Sequence, residues 1–354
     1  MSADTSSLSE RLTRQIASGG PISIAHYMAE ANQHYYATRD PLGADGDFTT
    51  APEISQMFGE LIGLCLADIW MRSGRRPRPL YVELGPGRGT LAADALRSME
   101  RATLAPHVHF VETSPVLRER QSALLPHVTH HDRIDSLPTD RPLLIVANEF
   151  FDALPVRQYI RVADEWRERV VVRREAEGQF LPVPGYRRIE SGLPPIAAQA
   201  QDGAIIETPM AGAEIAYALA QRIMKQGGAA IIIDYGYEGP LLGDTLQAVK
   251  SHQFADPFTD PGEVDLTTHV DFTVIGNMAR QAGLRVFGTV GQGAFLRDLG
   301  IDARATQLMQ TAPARAAEVE QARARLCNED AMGTLFRAMV WTHPDWADPA
   351  GFGM

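Results

Sequence analysis

The segment YVELGPGRGT, residues 81–90, decides the fold. A short apolar run leads directly into three glycines, Gly85, Gly87 and Gly89, and the helical pattern TLAADALRSM follows them. A glycine-rich turn between a buried strand and a helix lets the backbone approach a ligand, and the helix N-terminus points at that ligand. The segment therefore predicts a ligand-binding turn inside an α/β sheet.

Short apolar segments alternate with helical patterns from Leu80 onward. Strands without polar alternation are buried on both faces, and helices between them imply right-handed crossovers and a parallel sheet. The apolar segments are LYVEL, VHFVE, LLIVAN and AAIIID, with LRVFGTV and TLFRAMVWT as candidates for the last two strands. These patterns predict an α/β protein with an open sheet.

Further regions surround this core in the predicted domain organisation. Residues 1–76 have apolar residues at helical spacing, which predicts a helical N-terminal lobe with a lid loop. Residues 156–200 show alternating strands, typical of an antiparallel β-hairpin inserted as a cap. The two halves of the core are then residues 77–155 and 201–345, the second with an inserted, turn-rich cleft segment at 236–270.

Composition restricts the class of protein. The 354 residues include 33 basic and 44 acidic side chains, a formal net charge of −11, which disfavours nucleic acid as a partner and suits a cationic ligand or an ordinary cytosolic surface. Apolar runs such as AAIIIDY fall short of the roughly 20 residues that span a membrane. The amino terminus has no unbroken apolar stretch. We expect a cytoplasmic protein with no membrane insertion and, with only Cys65 and Cys327, no metal cluster.

The glycine turn is compatible with two cofactor classes. A dinucleotide fingerprint has a third small residue where this chain has Thr90, and the pattern here is G-x-G-x-G preceded by Glu83. Glu112 ends the next strand, where a carboxylate can accept both ribose hydroxyls of an adenosine in either cofactor class. Asp132 follows the third strand and could reach the adenine amino group, or be an ordinary surface carboxylate.

Several segments together resemble one family. VELGPGRGTLAADALR, FVETSP, ANEFFDALPVRQY, IIIDYGY and DLTTHVDF, with GDFTTAPEISQMFGE upstream, resemble the MidA-type S-adenosylmethionine-dependent methyltransferases, which are related to mitochondrial complex I assembly factors. The resemblance implies a seven-stranded, Rossmann-like class I methyltransferase core. For the mitochondrial relatives it implies arginine methylation of the 49-kDa-type subunit of NADH:quinone oxidoreductase.

The resemblance also implies where the cofactor S-adenosyl-L-methionine binds. Glu83 and the backbone around Gly85, Gly87 and Gly89 would surround the methionine end of the cofactor. Glu112 would bind its ribose.

The segment ANEFFDALP contains the catalytic candidates Asn148, Glu149 and Asp152 at the carboxyl end of the fourth core strand. An arginine guanidinium is a poor nucleophile because it is delocalised and protonated. Paired carboxylates orient one nitrogen and hold the positive charge away from it. We predict that Glu149 and Asp152 do this and that Asn148 positions the acceptor. Alternatively, Asp152 caps a helix and Glu149 forms a loop salt bridge.

This pair differs from the double-glutamate hairpin of the best-known arginine methyltransferases, so the acceptor atom stays open. Asp47 and Phe48 of the upstream loop, with Pro52 and Glu53, are weaker candidates for a lid, since long loops are often functional. The alternative is a plain interhelical loop.

Three further residues are weaker candidates for the substrate cleft. Tyr235 could form a wall of the cleft or pack at a strand end. His269 and Asp271 could form a proton-accepting pair, because histidine titrates near neutrality; the alternative is a core histidine.

The preferred hypothesis is a protein arginine methyltransferase that acts on a respiratory complex I subunit, or its bacterial counterpart, and so aids assembly. A cofactor-binding assembly chaperone, a small-molecule methyltransferase and a nicotinamide-dependent oxidoreductase are the alternatives. The apolar helix around residues 57–71 could be core or the contact of a homodimer, so the oligomeric state stays open.

Overall fold

The computed structural model describes residues 6–38, 50–174, 178–250 and 253–352. The strands are β1 (Ile22–Ser23), β2 (Leu80–Leu84), β3 (His107–Val111), β4 (Thr129–His131), β5 (Leu143–Asn148), β6 (Arg157–Val162), β7 (Glu165–Arg174), β8 (Gln179–Arg188), β9 (Ile205–Thr208), β10 (Gly228–Tyr237), β11 (Gln247–Lys250), β12 (Gln253–Ala255), β13 (Asp265–Thr267), β14 (Val270–Asp271), β15 (Arg285–Gly291) and β16 (Phe336–Thr342).

The helices are α1 (Leu8–Gly19), α2 (Ile24–Thr38), α3 (Ala51–Ile54), α4 (Gln56–Arg72), α5 (Thr90–Arg101), α6 (Pro115–Leu124), α7 (Met210–Gln226), α8 (Phe272–Gln281), α9 (Gln292–Asp298), α10 (Ile301–Thr311), α11 (Ala316–Cys327) and α12 (Met332–Leu335). Within the described ranges, none of them is both long and apolar enough to cross a membrane.

A mixed sheet of order β15-β16-β10-β5-β2-β3-β4 forms the core. The strands from β4 to β10 are parallel, and β16 runs antiparallel to both β10 and β15. The two-residue strand β14 also pairs with β10, so the sheet has eight strands in all. This is one strand more than the seven that the family resemblance implied, whereas the α/β fold class is as predicted.

Helices bury both faces of this sheet. Leu144 and Val146 of β5 belong to the same apolar cluster as α4 and α5, whereas Ile145 and Ala147 belong to the cluster that contains α7 and α8. Successive side chains of a strand point to opposite faces. A strand covered on both sides therefore needs apolar residues throughout, which explains the continuous run LLIVA in β5.

The cap is larger than the predicted hairpin. Strands β6, β7 and β8 form an antiparallel meander, and two strands from elsewhere extend it: β1 of the N-terminal lobe pairs with β7, and β9 pairs with β6. The five-stranded cap sheet therefore ties the N-terminal lobe to the second half of the core. Sequence alternation did not reveal β1 because it is only two residues long.

The cleft segment folds as a second antiparallel sheet, of order β12-β11-β13. Asn32 of α2 fastens it to the core: its side-chain amide donates to the carbonyls of Ala153 (3.0 Å) and Leu266 (2.7 Å) and accepts from the Leu266 N–H (3.1 Å). The Tyr36 hydroxyl donates to Asp265 at 2.9 Å. These contacts hold α2 beside the chain that follows β5.

Candidate functional site

The glycine turn after β2 has the geometry that its sequence predicts. Gly85, Gly87 and Gly89 have φ values of 57°, 54° and 83°, in the left-handed region that favours glycine. A Cβ atom on Gly85 would lie 3.1 Å from the Phe150 ring. Helix α5 begins at Thr90, so its free N–H groups face the turn. Bare backbone and a helix N-terminus together fit the polar end of a cofactor.

Glu83, the penultimate residue of β2, is buried. The Tyr81 hydroxyl donates to its Oε2 at 2.7 Å. Burial raises the pKa of Glu83 to about 8, although the hydrogen bond from Tyr81 opposes this. A carboxyl group in this state gains from a nearby cation, such as the ammonium or sulfonium of S-adenosylmethionine.

Glu112 lies directly after β3 and is held from two sides. The Ser114 N–H donates to its Oε1 (2.8 Å) and the Gln121 amide to its Oε2 (3.4 Å). The same Gln121 nitrogen donates to the carbonyl of Gly87 at 2.6 Å. Burial raises the pKa of Glu112, and these hydrogen bonds lower it. Gln121 thus links the candidate ribose ligand to the glycine turn.

Asp132 follows β4, at the sheet edge where the adenine contact is predicted. Its side chain is 78% exposed and pairs with Arg118, whose guanidinium lies 2.7 Å from Oδ1. Arg118 also donates to the Glu112 carbonyl at 2.7 Å. Asp132 is therefore a surface carboxylate beside the predicted adenosine ligands, and its contact with adenine stays a prediction.

The catalytic candidates lie at the end of β5, in register with the glycine turn because β2 and β5 are adjacent and parallel. Glu149 has a φ of 49°, unusual for a residue with a side chain. Its Oε1 accepts hydrogen bonds from the Asn148 amide (3.1 Å) and the Ala51 N–H (3.3 Å). Strand β6 follows Asp152, so Asp152 does not cap a helix.

Asp234 of β10 holds the turn that contains these residues. Its Oδ2 accepts three successive N–H groups, from Phe150 (3.2 Å), Phe151 (3.0 Å) and Asp152 (3.2 Å). Its Oδ1 accepts the Tyr235 N–H at 3.0 Å. Asp234 is fully buried. This role was not predicted, although the carboxylate that ends the apolar run AAIIID is a signal for it, because charged residues are rarely buried unless paired.

Burial and the repulsion between neighbouring carboxylates raise the pKa values of the acidic groups in this cluster. Burial, followed by the charge of Asp152, raises the pKa of Glu149 to about 8. Burial raises the pKa of Asp152 to about 6, although the Tyr235 hydroxyl opposes this. The Oδ1 atoms of Asn148 and Asp152 are buried and find no hydrogen-bond partner within the described residues. The cluster therefore suits a cationic ligand with several N–H donors.

The weaker cleft candidates have mixed outcomes. The Tyr235 ring packs edge-on against His269, with centroids 5.4 Å apart. Burial lowers the pKa of His269. Asp271 is the N-cap of α8, and its Oδ1 accepts the N–H groups of Thr273 (2.9 Å) and Val274 (3.1 Å). Capping thus holds the Asp271 carboxylate at the start of α8, and the proton-accepting pair of His269 and Asp271 stays a prediction.

The predicted lid lies only partly in the described chain. Asp47 and Phe48 fall outside the described residues. Downstream of them, Glu53 of α3 accepts a hydrogen bond from the Thr90 hydroxyl at 2.6 Å. Arg88 of the glycine turn lies 3.9 Å from the other oxygen of Glu53. Helix α3 therefore packs directly on the glycine turn.

Comparisons with known proteins agree with this geometry. Among curated proteins, "Protein arginine methyltransferase NDUFAF7 homolog, mitochondrial" of Drosophila melanogaster is 34% identical over 94% of this chain and 84% of its own length. "Protein arginine methyltransferase NDUFAF7, mitochondrial" of Danio rerio is 35% identical over 94% of this chain and 86% of its own length.

A solved structure from Burkholderia thailandensis, described as a "likely methyl transferase" bound to S-adenosyl-homocysteine, superimposes with a TM-score of 0.82. It is 27% identical, and the superposition covers 98% of this chain and 92% of that one. Residues 61–290 match the family model described as "Putative S-adenosyl-L-methionine-dependent methyltransferase". Since that match covers well over half of the chain, this protein belongs to the S-adenosyl-L-methionine-dependent methyltransferase family.

Proposed function

We propose that this methyltransferase modifies a guanidinium nitrogen of an arginine in a protein. The acceptor would be a 49-kDa-type subunit of respiratory complex I or its bacterial counterpart, and methylation would aid assembly. The observation that carries the proposal is the pair of carboxylates of half-buried Glu149 and buried Asp152, whose pKa values are raised by desolvation. The names of the two relatives, both protein arginine methyltransferases, support the same acceptor group.

Each residue of the pair has a defined task in this proposal. Bound S-adenosylmethionine supplies an electrophilic methyl group on its sulfonium. Glu149 and Asp152 accept hydrogen bonds from the guanidinium and hold its charge away from the attacking nitrogen. The Oδ1 of Asn148, which has no hydrogen-bond partner among the residues that the structure describes, would accept another N–H group of the acceptor or of the cofactor. The same carboxylates would accept the proton that the methylated nitrogen releases.

The cofactor would lie along the carboxyl ends of β2 and β3. Its methionine end would face the turn from Gly85 to Gly89 and the buried Glu83, and its ribose hydroxyls would bind Glu112. The left-handed glycines and the nearly buried, hydrogen-bonded Glu112 fit this placement. The five-stranded cap sheet would cover the acceptor protein, and Tyr235 would form one wall of its channel. A cytoplasmic location remains part of the proposal.

An assembly chaperone that binds the cofactor without essential catalysis is the second candidate, because exposed aromatic residues lie outside the core: Tyr186 on β8 of the cap is 94% exposed, and Phe254 on β12 of the cleft segment is 82% exposed. Membership of a methyltransferase family argues against the alternative of a nicotinamide-dependent oxidoreductase. A small-molecule acceptor is the third candidate, and a direct assay distinguishes all three.

The decisive assay incubates the enzyme and labelled S-adenosylmethionine with the purified acceptor subunit, followed by mass spectrometry of its peptides. Methylated arginine is the expected product, and an arginine-to-lysine acceptor should stay unmodified. Transfer to small molecules alone would contradict the proposal. Full complex assembly in cells that carry only a folded, inactive variant would favour the chaperone.

Gly87→Val should lower the affinity for S-adenosylhomocysteine at least tenfold. Valine is strained at a φ of 54°, so the turn must change shape. Isothermal titration calorimetry measures this, with Gly19→Val as the control because Gly19 has open space around its Cβ position. A thermal-shift assay provides a second measurement, because ligand at about 100 times its Kd adds roughly 2.7 kcal/mol to the free energy of unfolding. Equal affinity in parent and variant would refute the role of the turn.

The kcat/KM for an arginine acceptor should rise with pH through about 8. The pKa of Glu149 is raised to about 8, so a growing fraction of the carboxylate becomes charged, and able to bind a guanidinium, across this range. Initial rates at low acceptor concentration measure the profile. The Kd of S-adenosylhomocysteine is measured over the same pH range, because titration of Glu83 would change cofactor binding, whereas titration of Glu149 would change binding of the acceptor. A flat or falling profile would contradict the assigned role of Glu149.

A further inference from the structure

Gln121 of α6 occupies a position that only one orientation of its amide can satisfy. Its nitrogen lies 2.6 Å from the Gly87 carbonyl, which can only accept a hydrogen bond, and 3.4 Å from Glu112 Oε2. The –NH₂ group must therefore face them, whatever the protonation of its surroundings. The amide oxygen of Gln121 consequently points the other way, toward β4.

His130 of β4 meets that oxygen. Its Nε2 lies 2.9 Å from Gln121 Oε1. Because an amide oxygen only accepts, His130 Nε2 must carry a hydrogen, in the neutral tautomer as well as in the protonated ring. The His130 ring packs edge-on against Phe110, with centroids 6.1 Å apart, which fixes its direction. The contact thus forms in both charge states of His130.

We infer that His130 is a positioning residue for the cofactor: its hydrogen bond to Gln121 Oε1 holds in place the amide that ties Glu112 to the glycine turn. Gln121 has no exposed surface, and its Cγ lies 3.7 Å from the Cβ position of Gly89, so the side chain packs directly under the turn. Without the donor on His130, the buried Oε1 of Gln121 loses this hydrogen bond, and the side chain can shift to reach another donor. Such a shift would weaken its hydrogen bonds to Gly87 and Glu112 and so move the candidate ribose ligand. The inference rests on the proposed role of Glu112.

The first test is the Kd of S-adenosylhomocysteine for His130→Phe, which keeps a ring against Phe110 and removes the donor. We expect the Kd to rise about tenfold, the effect of a lost buried hydrogen bond. His127→Phe, the same change at an exposed histidine of the preceding turn, should leave the Kd unchanged. Circular dichroism and thermal unfolding confirm that each variant is folded.

A double-mutant cycle distinguishes positioning from simple packing. Gln121→Met keeps the length of the side chain and removes the amide, so adding His130→Phe to it should change the Kd no further. Additive effects of the two changes, or a parent-like Kd for folded His130→Phe, would overturn the inference. Should His130→Phe fail to fold, His130→Asn, which retains an N–H donor, must bind the ligand more tightly than His130→Ala.

Glu112→Gln separates this inference from the assignment on which it rests. If Glu112→Gln binds S-adenosylhomocysteine like the parent, the proposed role of Glu112 is wrong, and His130 has no cofactor ligand to position. If Glu112→Gln binds weakly while His130→Phe binds normally, the role of Glu112 stands and only the positioning role of His130 is wrong.

Discussion

Glu149→Gln should lower the kcat of arginine methylation by about 10²- to 10³-fold, the usual effect of removing a group that stabilises charge in a transition state. Glutamine can still accept from the Asn148 amide and the Ala51 N–H through its Oε1, so the turn after β5 should be retained. What the variant lacks is the negative charge that holds the guanidinium. Single-turnover rates with saturating cofactor measure the chemical step directly.

Two controls make this result specific. The Kd of S-adenosylhomocysteine should change little in Glu149→Gln, because Glu149 is assigned to the acceptor. Glu60→Gln removes a buried carboxylate outside this cluster, paired with Arg304 at 2.7 Å, and should keep the rate per folded molecule. A Glu149→Gln enzyme that binds cofactor and retains parent-like methyl transfer would rule out the catalytic role of this carboxylate.

The sequence predicted those parts of the fold that depend on local pattern. The apolar strands, the glycine turn and the sheet edge that carries Asn148 and Glu149 all follow from periodicity and from the rule that ligands bind at the carboxyl ends of parallel strands. The cap sheet was underestimated because its outer pairings are non-local: β1 joins β7 across most of the N-terminal lobe and half of the core. No periodicity in a two-residue strand reveals such a partner.

The supporting residues of the site were missed for a related reason. Asn32 and Gln121 act through hydrogen bonds to chain segments far away in sequence, and an amide on a helix carries no pattern that names its partner. The pair of His269 and Asp271 was predicted from proximity in sequence. The N-cap role of Asp271 was not predicted, although a carboxylate directly before a helix is a signal for it.

Asp234→Asn should reduce the free energy of unfolding by about 1–3 kcal/mol, the cost of a buried polar group left unsatisfied. Four backbone N–H groups donate to the two oxygens of Asp234. An amide has one oxygen, so its –NH₂ group must face at least one of these donors in either orientation. Relief of the repulsion from Glu149 and Asp152 offsets part of the loss. Urea unfolding measures it, with Asp94→Asn, a buried aspartate outside the cleft, as the matched substitution.

The same variant should also lower methyl transfer by up to about 100-fold, because a small displacement of the turn misplaces Glu149 and Asp152. If Asp234 acts by positioning Glu149, this loss largely disappears when Asp234→Asn is introduced into Glu149→Gln, since the group it positions is already disabled. Equal further loss in both backgrounds would mean that Asp234 affects catalysis by another route. A stable, fully active Asp234→Asn enzyme would show that three aligned N–H donors do not need a carboxylate to hold this turn.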